Sequence, residues 1–137
     1  MVAPSALPVV WAESTQGHRP EREVWIGMPM AGSEVPERVT VIEQVLREVG
    51  HPFVDGTSHG RDAFTGVHSP DLVRHLSPVY GAWQDGGYVA LGQDRVVPNF
   101  FPTAAMLGPL PVTEAAAVHG RAGQFRYDTM TTLGPRS

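Results

Sequence analysis

The chain has 137 residues, enough for one domain with a sizeable core, and it is 42% hydrophobic and 18% charged with no long apolar run. A net charge of −4 and the absence of any basic cluster exclude a nucleic-acid footprint and leave room for a cationic ligand. Zero cysteines exclude disulfides and thiolate metal sites and fit a reducing cytoplasm, the expected location.

The first eleven residues, MVAPSALPVVW, lack a positively charged start and are broken by Pro4 and Pro8, which argues against a signal peptide and a membrane span. Pro8–Ala12 (PVVWA) reads as a short buried strand. Glu13–Ala31 reads as a long first loop. Pro36 suits a first helical position, and Glu37 suits the positive end of the helix dipole. Val39, Ile42, Val45, Leu46 and Val49 then share one face, so Val35–Val49 is expected to be a helix packed in a core. Glu43 and Arg47 pair on its other side, and Gly50 ends it. His51–Asp55 is the second expected strand. Strand, crossover helix and strand make a βαβ unit and imply a parallel sheet.

Further along, Gly60–Val67 reads as a short helical turn. Ser69 reads as an N-cap followed by Pro70 and Asp71. The helix it starts carries Leu72, Val73, Leu76, Val79, Tyr80 and Trp83 on one face, and Pro78 is expected to kink or split it. Gln84–Gly92 is a glycine-rich turn region, and residues 93 to 112 form a second long ordered loop. Thr113 is placed as the cap of a short helix, Glu114–Val118, ended by Gly120. No element is assigned from Arg121 to Ser137. Two strands and two good helices are few for a parallel sheet, which needs both faces covered. The chain reads as one segment, 1–137, at the front of an α/β domain whose remainder is absent.

Six histidines stand at 18, 51, 59, 68, 75 and 119, none in an HExxH helix or beside a regularly spaced acid, and each is read as structural or solvent-exposed. GxGxxG, GxxxxGK[ST] and GxSxG are all missing. Two readings stand for the acids of the first loop, Glu21, Glu23 and Glu34. They form a solvated loop, or an anionic rim with Trp25 as a cation–π wall for a basic ligand. Phe100 and Phe101 are read first as core or interface anchors and second as substrate contacts.

The succession HRPEREVWIG, SEVPERVTVIEQVLREVGH, FTGVHSPDLVRHLSPVYGAW, VVPNFFP and GRAGQFRYDTMTTLGP resembles the amino-terminal part of the acetylpolyamine amidohydrolases, members of the histone-deacetylase-like superfamily of zinc hydrolases. The resemblance runs from about Val9 to Arg136. It implies the arginase–deacetylase α/β fold, here incomplete, and a lineage of enzymes in which zinc polarises an acetyl amide and activates water. The family's Asp-x-His and distant Asp ligands, its His-His pair and its tyrosine lie beyond the matched region. No catalytic or metal-ligating residue is therefore assigned to this chain, and no cofactor is expected for it alone.

By position, the resemblance implies that Glu23 meets the remote ammonium of a small cationic acetylated amine, with Trp25 beside it. Asp94 stands as a second acidic contact. His119 stands where the family has a third acid, a departure that weakens attraction for a polyamine. Phe100 borders the pocket, and the Phe100–Met106 loop packs at a homodimer interface. The first expectation is thus the amino-terminal portion of a zinc-dependent deacetylase, inactive by itself. The alternative is a shortened, non-catalytic paralogue serving as a binding or dimerisation module. An unrelated small α/β ligand-binding domain comes third.

Overall fold

The computed structural model describes residues 6–109 and 115–137. Strand β1 (Val9–Trp11) leads through a 3-10 turn at Glu13–Gly17 into a hairpin of β2 (Arg22–Trp25) and β3 (Met28–Ala31). Helix α1 (Pro36–Glu48) follows, then strand β4 (Phe53–Asp55). Strands β1 and β4 pair in parallel, Val9 with Phe53, Val10 with Val54 and Trp11 with Asp55. The expected βαβ unit is present, with Pro36 opening α1 and Gly50 at φ 85° just past its end. That positive φ suits glycine, which has no Cβ to clash.

The hairpin corrects the expectation of a loop over Glu13–Ala31. Arg22 pairs with Ala31, Glu23 with Met30, Val24 with Pro29 and Trp25 with Met28. Its two-residue turn is Ile26–Gly27, both at positive φ (51° and 77°). Such turns favour Asn-Gly or Gly-Gly, and a β-branched residue in the left-handed region is a steric outlier. The usual turn signal was therefore missing from the sequence.

Helix α1 also departs from expectation. Val39 and Leu46 are half-buried, but Ile42, Val45 and Val49 are exposed. The covered side meets the 3-10 turn and β4, where the Arg47 guanidinium lies 3.7 Å over the Phe53 ring. Arg47 also reaches Glu43 at 2.8 Å, the expected i, i+4 pair.

Four short helices follow: α2 (Asp62–Thr65), α3 (Pro70–Leu76), α4 (Val79–Asp85) and α5 (Ala104–Leu107). Ser69 caps α3, its hydroxyl accepting from the Leu72 N–H at 3.2 Å. Pro78 splits the apolar run, serving as the N-cap residue of α4. The expected cap at Thr113 lies outside the described residues. The late helix, α6 (Val118–Gln124), runs through Gly120 rather than ending there. At Gly123 a Cβ would stand 1.7 Å from the Phe100 carbonyl oxygen, so α6 packs against the 98–100 backbone only because that residue is glycine.

Among the described residues the core is small: Val79 and Trp83 of α4, Val118 and Ala122 of α6, and Val96 between them. The tail closes the structure. Val96 bridges to Leu133, and the His18 ring reaches the Ser137 hydroxyl at 3.0 Å.

Candidate functional site

Three segments converge beside the hairpin. The Arg95 guanidinium donates to the Arg19 carbonyl and also crowds Gly134. The Thr129 hydroxyl donates to the Val24 carbonyl. These contacts tie the loop before β2, the 93–101 segment and the 128–137 tail into one surface. All of them rest on Arg95 and Thr129, which have no signal in the sequence that marks them out. A Cβ on Gly32 would stand 2.1 Å from the Pro20 carbonyl oxygen, so the base of the hairpin also requires a glycine.

Glu23 is 2% exposed. Its Oε1 accepts from the Ser33 N–H at 2.8 Å and the Glu34 N–H at 3.2 Å, and the Ser33 hydroxyl donates to Oε2 at 2.9 Å. Burial alone would raise this carboxyl. The donors from Ser33 and Glu34, with Arg38 nearby, outweigh it and hold the group below its usual range. The carboxylate thus acts as a tertiary brace on the turn that leads into α1, whose own N-cap, Val35, supplies no side-chain bond.

Trp25 is half-exposed at the end of β2. Asp94 is partly buried, following Gln93, whose carbonyl accepts from the Trp83 indole N–H at 2.8 Å. Phe100 is exposed on the segment that packs on Gly123. His119 sits on α6, where its Nδ1 lies 2.6 Å from the Tyr88 hydroxyl, and Tyr88 stacks on Trp83 at 4.2 Å. Glu23 and Trp25 share the hairpin, and the tie through Arg95 brings the Asp94 segment toward it. His119 belongs instead to the Trp83–Tyr88 aromatic group.

Two clefts lie elsewhere. One, of about 790 Å³, opens at the carboxyl ends of β1 and β4, where parallel sheets place ligands, and is lined by Trp11, Glu13, Glu43 and Asp55 among others. The other, of about 640 Å³, separates α3 and α4 from α6. None of the five residues singled out from the sequence lines either cleft.

Among the described residues no three His, Asp or Glu side chains stand together in a way that could hold a metal ion. The histidines are dispersed on other partners: His51 on the Leu7 carbonyl, His59 on Thr57, His75 on the Phe125 ring. The described residues therefore offer no set that fits a catalytic zinc.

No family model matches the chain, and no curated protein does. Among solved structures it is similar to the acetylpolyamine aminohydrolase from Burkholderia pseudomallei, at a TM-score of 0.74 and 19% identity. The match covers 96% of this chain and 36% of that one. The fold is therefore an α/β arrangement with a parallel sheet, like a part of the deacetylase fold, and the chain spans about a third of the length of the enzyme it matches.

Proposed function

We propose that this chain is the amino-terminal portion of a deacetylase of the acetylpolyamine amidohydrolase kind, contributing its first sheet strands and the loops of its substrate mouth. The observation that carries the reading is the structural likeness to an acetylpolyamine aminohydrolase over nearly the whole of this chain. The ordered sequence blocks from HRPEREVWIG to YDTMTTLGP support it independently.

In this reading the substrate is a small acetylated amine with a cationic tail. Trp25, Asp94 and Phe100 face it. Glu23 shapes the hairpin that presents Trp25, and His119 replaces an acid and lowers the attraction for a polyamine. The Phe100–Met106 loop meets a second copy, and zinc belongs to residues outside this chain.

The test is zinc content and hydrolysis of a fluorogenic acetyl-lysine substrate, measured on one preparation of the 137-residue chain. The expected result is neither bound zinc nor turnover. Zinc near one per chain together with turnover would overturn the reading.

A second reading, a non-catalytic binding or dimerisation module, draws on the exposed Val41, Ile42, Val45 and Val49 of α1. Self-association of the isolated chain that Ile42→Glu abolishes would favour it, and an oligomeric state untouched by that substitution would favour the first.

A further inference from the structure

The segment that carries Asp94 is anchored on the core at both ends. The Trp83 indole N–H donates to the Gln93 carbonyl at 2.8 Å, and Trp83 is buried. Val96, two residues past Asp94, is buried as well. Its N–H donates to the Leu133 carbonyl at 2.9 Å, and its carbonyl accepts from Arg126 at 2.6 Å. Arg95 stands between these anchors, so its backbone is fixed and its side chain is the part that reaches out.

The guanidinium crosses to the loop before β2, where it donates to the Arg19 carbonyl, 76 residues earlier in the chain. It lies against Gly134, where a Cβ would stand 1.6 Å from Nη1 and 2.5 Å from Cζ. The seat under the guanidinium therefore requires a residue without a side chain. Among the described residues, no other hydrogen bond joins residues 93–101 to residues 18–34.

The Arg19 carbonyl sits at the base of the hairpin. The next carbonyl, that of Pro20, packs on Gly32, and the Gly32 N–H donates to the Glu21 carbonyl at 3.2 Å. From there the paired strands run without a break from Arg22 and Ala31 to Trp25 and Met28. A hold on the Arg19 carbonyl is thus a hold on the direction in which the hairpin carries Trp25. A charged donor makes that hold stronger than a neutral one would.

We propose that Arg95 is a positioning residue for the substrate mouth. It clamps the base of the hairpin to the anchored 93–96 segment, with Gly134 as its seat, and so sets the separation between Trp25 and Asp94. The inference rests on the deacetylase reading for the substrate, an acetylated amine with a cationic tail, and on the contacts alone for the clamp. Without the clamp the hairpin must be ordered when substrate binds. That cost falls on the ground state and the transition state alike, so it raises KM and leaves kcat in place.

The experiment has two arms. In the first, hydrogen exchange is followed on the 137-residue chain for the parent, Arg95→Ala, Gly134→Ala and the double variant. The expected result is faster exchange across Arg22–Ala31 in each single variant, with α4 and α6 unchanged. The double variant should gain nothing further, because both changes remove the same contact. Arg95→Lys, whose amine can still donate to a carbonyl, should restore part of the protection. Unchanged hairpin exchange, or a rise spread equally over α4 and α6, would overturn the clamp.

In the second arm, Arg95→Ala is placed in a chimera in which this chain replaces the matched part of the Burkholderia pseudomallei enzyme, and hydrolysis of an acetylated polyamine is measured. KM should rise about tenfold, the size of one hydrogen bond from a charged donor, with kcat held and Arg95→Lys in between. A fall in kcat at constant KM, or a KM that does not move, would overturn the positioning role alone. A folded parent chimera without turnover would instead overturn the deacetylase reading, and the mouth role with it.

Discussion

Glu23 shows how far a residue's chemistry depends on where its strand points. In the sequence it stands among charged neighbours and reads as part of a solvated or ligand-facing rim. In the structure β2 turns it inward, where its carboxylate gathers the N–H groups of Ser33 and Glu34. Removing the acceptor gives up these part-buried bonds to a charged group, at a cost of about 1 kcal/mol or more. Glu23→Ala should therefore lower the urea midpoint substantially, and Glu23→Gln, which keeps one acceptor oxygen, should lower it less.

His75 sets the pH behaviour. Burial, with the charges of Arg126 and Arg121 adding to it, pushes its ring down to about 4 from an ordinary value of 6.5. The unfolded chain then binds a proton that the folded chain refuses between those values. Stability from this group is full above pH 6.5 and falls as pH drops toward 4, by up to about 1.4 kcal/mol per unit. Urea denaturation at pH 7 and at pH 5 should show the loss, and His75→Phe should flatten the difference. An equal loss in the variant would assign the effect to other groups. Glu23 and Asp128, held low by their hydrogen bonds, contribute their own loss only at lower pH.

At the scale of elements, the parts whose signals are local were legible in the sequence. The proline start of α1, the Ser69 cap and the split at Pro78 each follow from one or two residues acting within a turn. The β1–β4 pairing followed from the strand–helix–strand order. The hairpin was not legible, because its turn is Ile26–Gly27 and its strands do not alternate apolar with polar. Helix α6 was misplaced because Gly120 resembles a stop, whereas Gly123 shows that glycine here serves close packing. Of the candidate residues, Trp25 and Phe100 are exposed and Glu23 is buried, a difference of strand facing that the sequence does not signal. His75 was read as structural or exposed, and its burial, like that of Arg126, is a tertiary fact with no sequence signature.

The apolar face of α1 gives the clearest test at this scale. Its period marks Ile42 and Val45 as core, yet both are half-exposed, while Trp83 of α4 is 1% exposed. Trp83→Ala should cost about 3–5 kcal/mol, as large-to-small changes in a packed core do. Ile42→Ala should fall within about 1 kcal/mol of the parent in this chain. A large cost at Ile42, read from denaturant unfolding, would mean that the face is covered in solution.

The whole molecule under-buries itself. It exposes 10027 Å² of surface, against about 7,000 Å² for a compact monomer of this mass. Among the described residues two strands form the parallel sheet, and Val10 and Val54, paired in it, are both exposed. Parallel sheets are otherwise covered on both faces, since hydrophobic burial is the main favourable term in folding. No helix among the described residues is long and apolar enough to cross a membrane. The pattern suits a polypeptide that packs against more protein, as the matched part of the Burkholderia pseudomallei enzyme does within a longer chain.

The central proposal is that this chain is one part of a deacetylase domain. Its most direct test is a chimera in which the chain replaces the matched 36% of the Burkholderia pseudomallei enzyme, assayed for zinc content and for hydrolysis of an acetylated polyamine. The account predicts a cooperatively folded chimera that holds zinc and turns over substrate, while the 137-residue chain alone does neither. A folded, zinc-loaded chimera without any turnover, or a chain that binds zinc and hydrolyses the amide by itself, would contradict it.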